Sequence, residues 1–253
     1  MAGHSHWARI KHKKGVLDAR RGRLWSKLAR NVIVAARVGG GDPADNLALR
    51  YAIDKAKAAN MPKDTIENAI KKGTGQIEGV VYEPVTYEGF GPGGVAILCE
   101  CLTDNRNRTA PELKKLFERH GGNLGKTGSV SRIFVLTGVI TVSAEKVSED
   151  QIVAVALESG ATDYQRAGDL WEITCEPSAF EPLRKALADA GIPVESAELS
   201  RVPTSTVTLD AETGKKVLAL MESLEDHDDV QNAYANFELP EELMSGASQG
   251  NPS

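Results

Sequence analysis

Five histidines stand in the 253 residues, and His4, His6 and His12 crowd the amino-terminal end, so a metal site is the first chemistry to test. Their spacing of two and then six residues matches no structural zinc pattern. Removal of Met1 would leave Ala2-Gly3-His4, an amino terminus able to hold copper or nickel in a square plane. The plainer reading, polar side chains in a basic arm, is preferred, and no metal or cofactor is expected. Cys99 and Cys101 lie two apart on a predicted strand and so share a face. A redox pair would need Cys-x-x-Cys at a helix start, so both are read as small buried residues. No nucleophile–base constellation can be assembled around the remaining His120 and His227. Neither an enzyme nor a small-molecule substrate is expected.

Phosphate chemistry is better supplied. The run GFGPGG, residues 89–94, has glycine-loop composition, but a strand follows it and no GK[ST] closes it, so it reads as a tight hairpin. Phe90 is expected to be exposed at its tip, where it could contact a partner. Asp104-Asn105-Arg106-Asn107-Arg108 leads into a helix, where amide groups together with Arg106 and Arg108 could bind phosphate; a solvated, capped loop is the equal alternative. The strongest signal is the basic front. Residues 1–37 hold ten Lys+Arg against the single acid Asp18. Lys11, Lys13, Lys14, Arg20, Arg21, Arg23, Lys27 and Arg30 are expected to neutralise phosphates, His12 to donate, and Trp7 to offer a face to a base.

Charge is partitioned along the chain. Residues 1–75 carry 16 Lys+Arg and 6 Asp+Glu, whereas residues 76–253 carry 14 and 29. The overall net of −5 therefore hides a basic third on an acidic body, a pattern that points to a polyanionic partner meeting one side of the protein. No apolar run reaches the roughly 18 residues needed to span a membrane. Residues 1–15 lack the apolar stretch of a secretory signal, and three cysteines make no framework, so a cytoplasmic setting is expected.

These residues need elements to hold them. Leu24, Leu28, Val32 and Ala35 recur at helical spacing and predict a helix over 17–38, stopped by Gly39-Gly40-Gly41. Asp42 and Pro43 predict a second helix to about Ala59, and Pro62 a third that ends at Gly73. From residue 82 the pattern alternates. Strands are predicted at 83–88, 94–102 and 130–136, with a helix at 109–119 opened by a Thr109/Glu112 capping box. A βαββαβ unit then follows: strand 138–143, helix 149–159, strands 162–167 and 170–175, helix 179–190 and strand 194–201. Ser148/Gln151 and Ser178/Glu181 cap its helices. Strand 205–209, helix 211–225 and strand 230–237 complete a second βαββαβ begun before it.

The fold class is therefore α+β: an all-helical amino-terminal domain and two ferredoxin-like βαββαβ domains, one inserted in the other. The expected domains are 1–75, a discontinuous 76–137 with 205–240, and the inserted 138–204, followed by a disordered tail at 241–253.

GHSHWARIKHKKGVLDARRGRLWSKLARNVIVAAR resembles the opening of the YebC/PmpR family, which includes mitochondrial translational activators of cytochrome oxidase. The likeness continues through GGGDPADN, AKAANMPKDTIENAIKKGTG, YEGFGPGGVAI, LTDNRNRT and GGNLGKTGSVSRIF, spanning residues 3 to about 134. Lysine is common in that family at the place of His6, and phenylalanine at the place of Trp25. Because the family pattern begins at Gly3, the resemblance implies that the arm belongs to the mature protein. It also implies a regulator of gene expression that binds promoter DNA, or else a translation factor that binds ribosomal RNA at the ribosome and eases synthesis of proline-rich stretches. An acidic protein-interaction scaffold is the alternative from another class.

Overall fold

The computed structural model describes residues 18–240 apart from residue 157, and side chains from Gly22 onward. The arm and the tail lie outside the described residues. The chain falls into two compact units, residues 18–129 with 212–233 and residues 130–211 with 234–240.

The first unit opens with three helices, α1 Asp18–Gly39, α2 Leu47–Ala58 and α3 Lys63–Gly73. Their apolar stripes share one core: Leu28, Val32, Ile33 and Ala36 of α1 meet Leu49, Ile53 and Ala56 of α2 and Ile66 and Ala69 of α3. Leu24, assigned to this stripe by spacing, is 38% exposed. Gly73 allows α3 to approach α1, since a Cβ there would lie 2.7 Å from the Ala36 Cβ. The cap of α2 is Asn46 rather than the expected Asp42. Its Oδ1 accepts from Leu49 N at 3.0 Å, while Nδ2 donates to the Ala35 and Gly40 carbonyls at 2.8 Å each. One buried amide thus closes α1 and starts α2, and Asp42 caps only a local turn through Ala44 N.

Strands β1 Glu83–Phe90 and β2 Ala96–Thr103 form an antiparallel hairpin across GFGPGG. Gly93 and Gly94 take φ of 73° and 77°, as a tight reversal demands. Phe90 is half-buried, not exposed at a tip. Helix α4 Arg106–Arg119 and the short strand β3 Asn123–Leu124 follow. Helix α4 begins three residues earlier than expected because Asn105 is its cap, accepting from Arg108 N at 3.2 Å. Thr109 lies inside the helix and is buried, so the Thr109/Glu112 capping box is not formed.

The second unit begins with β4 Phe134–Ser143, α5 Glu149–Ala156, β5 Ala161–Ala167, β6 Leu170–Cys175, α6 Phe180–Asp189 and β7 Val194–Pro203. Its strand order, β5-β6-β4-β7, is ferredoxin-like. Strand β4 joins two stretches that the sequence separated, 130–136 and 138–143, and pairs with β7 from Phe134 opposite Pro203 to Val142 opposite Val194. Gly138 is required inside the strand, because a Cβ there would lie 2.6 Å from Cys175 Sγ and 2.8 Å from the Phe180 ring. The Ser148/Gln151 box forms, with Ser148 N donating to Gln151 Oε1 at 3.0 Å. No side chain caps α6, so the Ser178/Glu181 box does not form; a 3-10 turn at Pro177–Ala179 leads into the helix instead.

The chain continues through β8 Val207–Thr208, α7 Ala211–Glu225, β9 Val230–Ala235 and β10 Phe237–Glu238. The first sheet runs β3-β1-β2-β9. The hairpin β1–β2 lies at its centre, and segment 205–209, predicted to complete the second βαββαβ, is not part of it. That segment pairs instead in parallel with β10, Val207 opposite Phe237. The hairpin loop is short, so closing it costs little chain entropy.

Candidate nucleic-acid interface

The expected phosphate-binding residues fall into three groups. Trp7, Lys11, His12, Lys13 and Lys14 lie outside the described residues. Arg20 and Arg21 occupy the first turn of α1. The others are placed in detail, and several face their own protein.

Arg23, Lys27 and Arg30 recur at i, i+4, i+7 on α1 and form one stripe. That stripe meets the acidic run Glu225–Asp229, from the last residue of α7 to the start of β9. Arg23 pairs with Asp226 at 3.6 Å, both side chains being about half exposed. The Lys27 ammonium donates to the Glu225 carbonyl. Arg30 donates to the Asp228 carbonyl at 2.7 Å and to Asp229 Oδ1 at 2.8 Å, and its guanidinium lies 5.0 Å from the centre of the Tyr82 ring. The Arg30 side chain is only 18% exposed.

Asp229, its side chain 2% exposed, is the centre of this arrangement. Its Oδ2 accepts from Arg108 at 2.9 Å and from Thr109 Oγ1 at 2.7 Å. Its backbone N–H donates to His227 Nδ1 at 3.1 Å, and its carbonyl accepts from Leu102 N at 2.8 Å. Burial alone would raise the Asp229 carboxyl, but the hydrogen bonds from Thr109, Arg108 and Arg30 outweigh it and hold the group below its ordinary value. His227 Nε2 reaches Glu112 at 3.0 Å.

The loop before α4 is consequently engaged internally. Arg108 also bonds Asp104 at 2.8 Å, and Arg106 bonds Glu83 at 2.7 Å. The loop is capped by Asn105 and paired with its own carboxylates, with the Arg106 and Arg108 side chains 57% and 43% exposed. Asp229 was missed by sequence reasoning, because the run EDHDD reads as surface charge until the fold carries it to Arg30.

Cations that sequence counting included without singling out remain on the surface of the helical part. Arg37, Arg50, Lys57, Lys63, Lys71 and Lys72 are exposed. Lys71 and Lys72 stand in the last turn of α3, where positive charge complements the helix dipole.

Burial pushes the Cys99 thiol well up, and burial followed by the nearby Asp229 charge pushes Cys101 to about 12, so both stay protonated and unreactive. His120 is bonded to Ser223 at 2.9 Å, whose hydroxyl is given to the Ala219 carbonyl, so no activated nucleophile results. No cluster of three potential metal ligands occurs among the described residues. No described helix is long and apolar enough to cross a membrane.

A basic three-helix segment followed by a hairpin-built sheet and a ferredoxin-like sheet defines a class of α+β proteins with known members. Residues 5–76 match the model described as the TACO1/YebC protein N-terminal domain, and residues 82–237 that of the TACO1/YebC second and third domain. The chain belongs to the TACO1/YebC family. It is 51% identical over 249 residues to a "probable transcriptional regulatory protein" of Dictyoglomus turgidum, covering 98% of this chain and 100% of the relative. A relative of the same description from Rubrobacter xylanophilus is 52% identical over 246 residues, covering 97% and 98%. The crystal structure of a conserved hypothetical protein of Aquifex aeolicus matches with a TM-score of 0.85 and 48% identity, over 95% of this chain and 99% of that one.

Proposed function

We propose that this protein is a non-enzymatic regulator of gene expression that binds DNA through its basic amino-terminal part. The observation that carries the reading is the charge partition: 16 Lys+Arg against 6 Asp+Glu in residues 1–75, on a protein with a net charge of −5. The description of its relatives as probable transcriptional regulatory proteins supports the same reading. Trp7, Lys11, His12, Lys13, Lys14, Arg20, Arg21 and Arg23 serve as contacts in this proposal, with Arg37, Arg50 and Lys57 extending the surface. Lys27, Arg30, Arg106 and Arg108 move to a structural role, since they hold other parts of the same unit. The partition into a helical domain, a middle domain and an inserted domain belongs to the proposal, with the helical domain as the binding module and the acidic remainder turned away from phosphates.

A second reading, binding to ribosomal RNA in a cytoplasmic translation role, is favoured by one observation. Lys27 and Arg30 of the α1 stripe are bonded to Glu225 and Asp229 and so are not offered to a major groove. Recognition of folded RNA by shape needs no such helix. Crosslinking in growing cells followed by sequencing of the bound nucleic acid separates the two. Discrete promoter fragments, lost on Arg20→Glu with Arg21→Glu, are expected for the first reading. Recovery of ribosomal RNA together with co-sedimentation on ribosomes would establish the second instead.

A further inference from the structure

The acidic run Glu225–Asp229 holds the cations of α1 with graded firmness. At one end Asp229, its side chain 2% exposed, accepts from Arg30, Arg108 and Thr109. Parting them would strand a buried carboxylate. About one turn back along α1, Lys27 donates to the Glu225 carbonyl. A further turn back, Arg23 Nη1 and Asp226 Oδ1 stand 3.6 Å apart, too far for a hydrogen bond, with both side chains about half exposed. An exposed pair of this kind contributes little to stability and is screened by salt. The buried end therefore fixes the run on the helix, and the exposed end can open without disturbing it.

Of the stripe Arg23, Lys27 and Arg30, Arg23 alone serves as a phosphate contact in the function proposed above, with Arg20 and Arg21 in the turn before it. A phosphate arriving there meets Asp226 on the same guanidinium. Two anions that close repel each other, so one must leave. Phosphate can take the guanidinium through two parallel hydrogen bonds, whereas the carboxylate at 3.6 Å makes none. We propose that Asp226 is a built-in competitor for Arg23: it occupies the guanidinium in the free protein, and a nucleic-acid phosphate displaces it while Asp229 keeps the rest of the run on α1. The competition rests on the function proposed above. It fixes where on α1 the phosphates end, since Arg23 is yielded to them and Arg30 is not.

A double-substitution cycle on the full chain, read as affinity for a short DNA duplex at fixed salt, tests the competition. Asp226→Asn should tighten binding about three-fold, the size expected when an exposed ion pair no longer has to be broken. Arg23→Ala should weaken binding, and Asp226→Asn should add nothing in that background. Asp228→Asn removes an equal charge from an exposed residue two positions on, and should tighten binding less than Asp226→Asn does. A gain that survives Arg23→Ala, or an equal gain from Asp228→Asn, would reduce the effect to general charge and overturn the proposal. Duplex binding left unchanged by Asp226→Asn would overturn it as well. No duplex binding by any of these proteins, the unaltered chain included, would overturn the DNA-binding function itself and the competition with it. Arginine modification by phenylglyoxal, mapped by mass spectrometry, reads the resting pair without nucleic acid. Arg23 should react faster in Asp226→Asn than in the unaltered chain, with the exposed Arg37 unchanged. Equal Arg23 rates in the two proteins would show that Asp226 does not occupy the guanidinium, and would overturn the proposal.

Discussion

Arg30 and Asp229 stand 199 residues apart in sequence and 2.8 Å apart in the fold. The pair fastens the first helix to the edge of the first sheet, so the helices and the sheet behave as one unit. Removing Arg30 takes one charge-assisted hydrogen bond from a buried carboxylate that keeps Arg108 and Thr109, which costs about 1.5–3 kcal/mol. Arg30→Ala is expected to destabilise the protein on that scale. Arg23→Ala, which breaks a half-exposed pair at 3.6 Å, should change stability by less than about 0.5 kcal/mol. Urea unfolding of the two variants beside the unaltered chain checks the contrast.

Asp229 also sets an acid limit. Its folded value is held below the ordinary carboxylate range, so its contribution is present above the unfolded value and is lost as pH falls through the folded one. The stability gap between the unaltered protein and Asp229→Asn should therefore be full near neutral pH and shrink below about pH 4. Denaturation curves at a series of pH values measure it. A gap that grew on acidification would contradict the assigned direction.

Gly73→Ala is expected to cost about 1–3 kcal/mol, because the new methyl must push α3 away from Ala36 and the Ile33 backbone. Gly22→Ala, at a position with nothing within 4 Å of the added carbon, serves as the comparison and should be neutral or slightly stabilising. Thermal unfolding of both variants decides.

Trp25 donates its indole N–H to the Ala59 carbonyl at 2.9 Å, closing the end of α2 against α1. Trp25→Phe keeps the aromatic bulk and loses that bond. A cost of about 1 kcal/mol is expected, visible as a lower denaturation midpoint with an unchanged slope.

Local signals were legible in the sequence and long-range ones were not. The extents of α1, α3 and α7, the Ser148/Gln151 cap and the burial of Cys99 and Cys101 follow from spacing and residue type within a few positions. The make-up of the first sheet does not, because segment 205–209 reads as a strand wherever it pairs, and only the fold carries it to β10. The candidate site divided in the same way. A helical wheel places Arg23, Lys27 and Arg30 on one face, but their partners Asp226 and Asp229 arrive through the fold, and one-dimensional charge counting cannot tell a cation that faces phosphate from one that faces a carboxylate.

The central claim is that the basic amino-terminal part binds nucleic acid through its phosphates, and salt dependence measures that most directly. Affinity for a duplex should be followed over a range of salt concentrations for the full chain and for a chain lacking residues 2–15. Four cations, Arg9, Lys11, Lys13 and Lys14, are removed by that deletion. The account predicts weaker binding and a log–log salt slope shallower by about 3. Equal affinity and an equal slope in the two proteins would contradict it.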